Sequence, residues 1–388
     1  MKNTIILGIE RFPPDFTGSG LRAYRQSLRI QSKYGYKFII LTNKSKQKEI
    51  TKDLEIIRIP TITPKILLPI YLIELFIRIN LIMQKRKDDI SLIHMFSLYW
   101  LNRMLMLSNI LFYKKPSILE VTLDGDDDPV SLIKNSPLGK IISNPLKALM
   151  KKIGLFIVQT KNSKRSCEQI GISQKKIWQR PNPIDEKVFG KIPFSKIECI
   201  KKRLTLPKGI NLVNIGAISK RKNQLLLAKV LKQVQYQDVN LLLIGPKSDK
   251  KYYNIIQKQI KESKLENRIV FMGEKTNTQE YLLAADIFVF SSEREGFGNV
   301  FGEAMISGLP IITTYLDGIS KFININNGII ITEKNEEDKI RRFASEIDKI
   351  IRKKTTYNRQ IIRNMGIKYF SAKNIDLQYH EKYNRLIK

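Results

Sequence analysis

Short, almost wholly apolar runs recur along this chain, each followed by a stretch with helical periodicity. "TIILG" leads into a helical pattern from Leu21, and "YKFIILT", "LEIIRI", "SLIHMF", "SILEVT" and "GLFIVQT" continue the series. A second series reads "NLVNIG", "NLLLIG", "NRIVFMG", "DIFVFSS" and "LPIITT", again with helical stretches between. A strand with one wet face alternates apolar and polar residues. A strand apolar at nearly every position is covered on both faces, and helices in the connections supply the cover. The pattern predicts an α/β protein of two doubly wound, Rossmann-like units with parallel sheets.

The break between the two series falls at "QRPNPIDEKVFGKIPFSK", residues 179–196, where Pro181, Pro183, Pro193 and Gly190 make a linker composition. The reading places one domain at 1–185 and a second at 190–372. Ligands of such sheets bind at the carboxyl ends of the strands. Two facing units would therefore meet a ligand in the cleft between them. The closing segment "KNIDLQYHEKYNRLIK" places Ile375, Tyr379, Tyr383 and Leu386 on one helical face. That face could pack on the second domain or cross back to the first.

At 388 residues the chain can hold two proper cores, and 43% hydrophobic against 27% charged residues marks it as globular. The net charge of +32 fits a negatively charged partner, although a Lys- and Ile-rich composition spreads lysine along the whole chain. Two cysteines, Cys167 and Cys199, have no paired spacing and fit a reducing cytoplasm. Two histidines, His94 and His380, exclude a histidine-rich metal site. The N-terminal apolar run is too short for a signal peptide. The longest apolar window, Ile66 to Met83, carries Pro69, Glu74, Arg78 and Asn80. It reads as a mostly buried helix with a thin polar stripe of Tyr71, Glu74 and Arg78, rather than a membrane span.

"EREGFGNVFGEAM", Glu293 to Met305, follows the apolar run Ile287–Phe290 and reads as strand, glycine-rich turn and short helix. Glu295 falls in the turn and Glu303 about one turn inside the helix, so two carboxylates approach one cleft. The turn Gly296-Phe297-Gly298 lets backbone come close to a ligand, since glycine has no Cβ. Asn299 is placed to cap the helix. A diphosphate is held by backbone N–H groups, a helix N-terminus and a lysine, and sugar hydroxyls suit carboxylates.

This stretch resembles the E-x7-E motif of retaining GT-B glycosyltransferases of family 4. "FTGSG" (Phe16–Gly20), "RPNPID" (Arg180–Asp185), "IGAISKRKNQLLLA" (Ile215–Ala228), "IVFMGE" and "YLLAADIFVFSS" are similar to further family segments in the family's order, over nearly the whole chain. The resemblance implies a GT-B fold whose closing helix, 373–388, returns to the N-terminal, acceptor-side domain. It implies that Glu303 holds ribose hydroxyls, Glu295 donor-sugar hydroxyls and Lys222 a phosphate. Where the family has an arginine after the strand glycine this chain has Ala217, and Arg221 is the substitute. Gly18 and Gly20 would bring backbone amides to the transferred phosphate or the acceptor. Val300 and Asn299 complete the donor set at the helix start. Asp124 stands where many members have a histidine beside the sugar, and is taken with Glu295 as catalytic. The resemblance further implies a UDP- or GDP-sugar donor, no metal, and a glycan or lipid-linked acceptor in surface polysaccharide synthesis.

Alternatives stand beside this. Asp124, Asp126 and Asp128 in "EVTLDGDDDPV" could form a metal-binding acidic cluster, or cap the next helix. His94 reads as a strand-end histidine with a local hydrogen bond. The segment 138–154 reads as a basic amphipathic helix, with Lys140, Lys147 and Lys151 aligned and Pro145 interrupting it. It suggests an anionic membrane surface, and so a cytoplasmic protein peripheral at the inner face of the membrane. Rival activities are a GT-B enzyme with a soluble acceptor, such as a sugar-phosphate synthase, and a basic nucleic-acid-binding protein. No nucleic-acid module is recognisable, so nucleic acid is not an expected partner.

Overall fold

The computed structural model describes residues 3–15, 17–45, 53–61, 68–135 and 139–388, with the backbone alone for 139–142. Phe16 and the Lys140 side chain thus lie outside the described residues. The chain divides into two units, Met1–Pro183 with Ala372–Lys388, and Ile184–Ser371.

The first unit is built on β1 (Thr4–Gly8), β2 (Lys37–Asn43), β3 (Glu55–Ile59), β4 (Ile90–Phe96), β5 (Ser117–Glu120), β6 (Leu155–Val158) and β7 (Ile177–Gln179). They pair in the order β3-β2-β1-β4-β5-β6-β7, all parallel. Its helices are α1 (Gly18–Tyr34), α2 (Leu68–Lys85), α3 (Trp100–Ser108), α4 (Pro129–Lys134), α5 (Gly139–Lys151) and α6 (Lys161–Gln169), and a π-helical turn, Asn109–Tyr113, extends α3. The pleat sends alternate side chains to opposite faces. Ile6, Ile39, Leu41, Ile93 and Met95 pack with α2, α3, α5 and α6, while Ile5, Leu7, Phe38, Ile40 and Leu92 pack with α1 on the other face.

The second unit carries α7 (Glu186–Phe189), α8 (Ile197–Arg203), β8 (Ile210–Ile215), α9 (Gln224–Gln233), β9 (Val239–Ile244), α10 (Lys250–Glu262) and β10 (Ile269–Gly273). It continues through α11 (Thr278–Ala284), β11 (Ile287–Phe290), α12 (Asn299–Ile306), β12 (Ile311–Thr314), β13 (Gly328–Ile331), α13 (Glu336–Ile351) and α14 (Arg359–Phe370). Its sheet order is β10-β9-β8-β11-β12-β13, again parallel. Two clusters cover the two sheet faces, one with α9, α10 and α13 and the other with α11, α12 and α14. With two such sheets, the expected fold class holds.

The final helix, α15 (Ala372–Ile387), belongs to the first unit. Ile375, Tyr379 and Tyr383 are buried in the α1 face of the first sheet, and Arg29 pairs with Asp376 at 2.6 Å. The spacing of these apolar residues by four puts them on one stripe, and that stripe joins α1 in covering this face of the first sheet.

Two expectations are corrected here. Helix α2 buries Tyr71, Leu75, Ile79 and Met83, but on its other side Ile70, Ile73, Ile77 and Leu81 are exposed. It is not mostly buried, and Glu74 and Arg78 form a surface pair at 2.7 Å. Helix α5 runs through Pro145 without breaking, with Leu146 and Met150 anchored in the core. Core packing on its apolar side outweighs the local cost of the proline.

Candidate active site

In a doubly wound sheet the strand order reverses at one point, and the loops there splay apart to leave a crevice. In the second unit the reversal lies between β8 and β11. The loop after β8 ends in a turn of 3₁₀ helix, Lys220–Lys222, and the loop after β11 carries Glu295. Asn223, in the left-handed conformation at φ 50°, reverses the chain into α9. The two loops are tied by backbone: Glu293 N–H donates to the Arg221 carbonyl at 2.9 Å, and Ser291 Oγ donates to the Lys222 carbonyl at 3.0 Å.

These ties bring three charged side chains together. Lys222 Nζ lies 2.6 Å from Glu295 Oε1, and Arg221 Nη1 lies 2.9 Å from the same oxygen. The Glu295 side chain is 8% exposed, Lys222 12% and Arg221 34%. Burial pushes the Glu295 carboxyl up, but Lys222 and Arg221 outweigh it, and the group sits below the usual carboxylate range. Lys222 Nζ also lies 5.2 Å from the centre of the Phe290 ring. Two cations here share one carboxylate oxygen, and each has N–H donors left over for a second anion.

The turn from Glu295 into α12 shows why its residues take these forms. Gly298 has φ 68°, and a Cβ there would lie 3.3 Å from the Phe290 ring. Both the backbone angle and the close approach call for glycine. Gly298 occupies the cap position and no side chain caps the helix, so Asn299 is the first helical residue rather than the expected N-cap. The positive end of the α12 dipole therefore lies at this turn. Phe297 is 1% exposed and its ring packs on Phe301, Phe322 and Phe370. Its side chain is core, and only its backbone is left for a ligand. Gly296 is buried, Val300 packs on the same core, and Glu303 lies half-buried in the second turn of α12.

The remaining expected site residues belong to the first unit. Thr17 caps α1 by accepting from the Gly20 N–H at 2.9 Å. A Cβ on Gly20 would lie 2.5 Å from the Arg11 carbonyl, so this glycine has a steric reason of its own. Gly18 opens the same helix. Asp124, in the loop after β5, accepts from Thr160 Oγ1 at 3.0 Å, Ser163 Oγ at 2.9 Å and Asn162 Nδ2 at 3.1 Å, at the start of α6. Its neighbours are structural. Asp127 accepts from the Thr122 and Leu123 N–H groups at 2.9 and 2.8 Å, and Asp128 caps α4 through the Ser131 N–H at 3.1 Å. Among the described residues no group of three or more His, Cys, Asp and Glu side chains is arranged to hold a metal.

A buried ionic cluster in the first unit was not foreseen from the sequence. Glu120, fully buried at the end of β5, pairs with Arg22 at 2.8 Å and lies 3.5 Å from Arg180. It accepts from Tyr379 Oη at 2.9 Å and Gln159 Nε2 at 3.1 Å. His94 Nε2 is 3.4 Å from Glu120, and its Nδ1 is 2.9 Å from Tyr383 Oη. The Arg180 guanidinium stacks over Tyr379 at 4.1 Å and Arg22 over Phe96 at 4.6 Å. His94 is therefore held by α15, not by a local bond. The one available signal was a glutamate inside the apolar run "SILEVT".

Comparison with known proteins agrees with this geometry. Residues 196–365 match the family model described as glycosyl transferases group 1, which spans the paired cations, the Glu295 turn and α12. The chain is 29% identical over 194 residues to an uncharacterized glycosyltransferase of Methanocaldococcus jannaschii, covering 48% of this chain and 46% of that one. It is 28% identical over 211 residues to N-acetyl-alpha-D-glucosaminyl L-malate synthase of Bacillus anthracis, covering 52% of each. The chain thus spans about half the length of these two curated relatives. Alpha-monoglucosyldiacylglycerol synthase of Acholeplasma laidlawii is 24% identical over 323 residues, 78% of each chain. Among solved structures, sucrose-phosphate synthase of Thermosynechococcus elongatus superimposes with a TM-score of 0.80 at 18% identity, covering 99% of both chains. Anabaena Alr3699/HepE in complex with UDP and glucose gives 0.78 at 16% identity, covering 99% of this chain and all of that one. These likenesses establish the GT-B fold.

Proposed function

We propose that this chain is a retaining glycosyltransferase of the family 4 type, moving a sugar from a nucleoside diphosphate donor to an acceptor hydroxyl. The observation that carries the reading is the convergence of Lys222 and Arg221 on Glu295 at the β8–β11 reversal, next to the uncapped start of α12. The donor diphosphate binds Lys222, Arg221 and the first-turn N–H groups of Asn299 and Val300. Arg221 takes the part of the arginine replaced by Ala217. Glu303 receives the ribose hydroxyls, and Glu295 turns from its cations to the donor-sugar hydroxyls.

Reaction then follows from charge. As the glycosidic bond to phosphate breaks, negative charge grows on the leaving diphosphate, where fixed cations and helix N–H groups stabilise it most. None of the paired carboxylates is needed as a base, because the leaving phosphate oxygen accepts the proton of the incoming hydroxyl on the same face. Retention follows from that same-face attack. Gly18, Gly20 and Asp124 serve the acceptor side. UDP is the first donor to test, since the structural neighbour Anabaena Alr3699/HepE is known in complex with UDP and with UDP-glucose. Relatives named for lipopolysaccharide core, capsular polysaccharide and monoglucosyldiacylglycerol synthesis favour a glycan or lipid-linked acceptor at the inner face of the membrane. No described helix is long and apolar enough to cross a membrane, which suits a peripheral enzyme.

The test is a thermal-shift screen with UDP, GDP, ADP and their sugars. A donor at a hundred times its Kd adds about 2.7 kcal/mol of stability. One nucleotide and its sugar are expected to raise the melting temperature, and Lys222→Ala to abolish the shift. No shift with any of them overturns the reading.

A further inference from the structure

We propose that the outer face of α2, with the adjoining turn Asn109–Tyr113, is a docking surface for an anionic lipid bilayer. Twelve large apolar side chains are exposed among the described residues; four of them, Ile70, Ile73, Ile77 and Leu81, lie on α2, and two, Leu111 and Phe112, lie on the adjoining turn. The four from α2 are spaced by three and four residues, opposite the buried stripe Tyr71, Leu75, Ile79 and Met83. They are 53–63% exposed, and they run for about 17 Å along the helix. Phe112 joins them because its ring meets Phe76 of α2 at 6.2 Å, and Tyr113 Oη donates to the Asn80 carbonyl at 3.0 Å. A contiguous apolar ridge of this kind has a partner.

The rim indicates the partner's chemistry. Lys85 and Lys87 end the ridge on one side, and Lys114 and Lys115 follow Phe112 on the other, against Asp88 and Asp89. Glu74, the one acid on the helix face, is neutralised by Arg78 at 2.7 Å. Apolar side chains on a ridge flanked by lysines, in a chain of net charge +32, match a headgroup layer that is negative outside and apolar beneath. Helix α5, with Lys147 and Lys151, packs on the same face of the first sheet. Its lysines add attraction, but its apolar side is spent on the core, so it cannot insert. This inference rests on the peripheral-membrane part of the reading above and moves the contact from α5 to α2.

Flotation with vesicles tests it, using phosphatidylcholine alone and phosphatidylcholine with phosphatidylglycerol, at low and high salt. Salt screens lysine attraction but not apolar insertion. Wild type is expected to float with the anionic vesicles and to keep a salt-resistant fraction. Ile73→Ser with Ile77→Ser should lower that fraction roughly tenfold or more, while Lys147→Gln with Lys151→Gln should lower only the low-salt binding. Wild type and both variants should melt alike and keep the same nucleotide thermal shift, so failure of the donor reading shows separately. Equal flotation of wild type and the isoleucine variant overturns the proposal. So does a wild type that stays off vesicles, whether monomeric or a dimer that the isoleucine variant splits, the latter assigning the face to a second copy of this chain.

Discussion

Glu120 and Glu295 are both buried carboxylates, one at the end of β5 and the other in the loop after β11, and each faces two cations. They differ in what closes the rest of the shell. Around Glu120, Tyr379, Gln159 and His94 complete the contacts, and Arg22 and Arg180 are 4% and 3% exposed. Around Glu295 the pair is Lys222 and Arg221, open to solvent on the crevice side. A closed ionic cluster holds an element in place, here α15 against the first sheet. An open one can exchange its anion for a ligand. The same charges serve structure in one unit and, on the function proposed above, bind the donor in the other, and the neighbours decide which.

The largest expected effect separates them by stability. Glu120→Gln leaves two buried guanidinium groups without their anion and should cost about 3–5 kcal/mol. Glu295→Gln leaves Lys222 and Arg221 at 12% and 34% exposure, open enough for water to reach them, and should cost less than Glu120→Gln. Urea unfolding of the two variants measures both, and equal losses would erase the distinction.

Activity should rank them the other way. Glu295→Gln should lower transfer by about a hundredfold or more, the scale of losing one group that acts on the reacting sugar. Affinity for the free nucleoside diphosphate should hold or rise, because the competing anion is gone from Lys222 and Arg221. Weaker diphosphate binding with transfer intact would reverse the assignment.

The pH response sharpens the closed cluster. Burial keeps His94 below its ordinary value, so it is neutral in the folded chain and takes up a proton on unfolding below about pH 6.5. Its contribution is present above that pH and declines as pH falls. Burial pushes Glu120 up, but Arg22, His94 and Arg180 bring it down to about 2. Its contribution is therefore lost only between about pH 4.5 and 2. Melting wild type and His94→Gln from pH 8 to 5 should show the shallower slope in the variant, by up to about 1.4 kcal/mol per pH unit. Parallel slopes would remove His94 from the account.

The smallest effect expected is none at all. Turnover should survive EDTA, since Asp127 and Asp128 are engaged by backbone N–H groups. Loss with EDTA and recovery with Mn²⁺ would return the acidic loop to the site.

Local sequence determined the repeating parts. Short apolar runs such as "NLLLIG", bounded by glycine, read as covered strands, and the periodicity between them makes helices, so the two doubly wound sheets were legible. Glu295, its glycine turn and Glu303 were legible too, because one strand–turn–helix unit contains them all. Tertiary structure decided whatever depends on distant segments meeting. Arg221 reaches Glu295 only because β8 and β11 are neighbours at the reversal of strand order. Asn299 lost the cap position to Gly298, whose φ of 68° and close approach to the Phe290 ring leave no room for a side chain. Glu120 acquires its meaning from Arg22, Arg180 and Tyr379, which lie far from it in sequence but share its buried pocket. The exposed face of α2 was hidden for the same reason. An apolar helix looks buried on every side until the sheet it packs on is seen to cover one side alone.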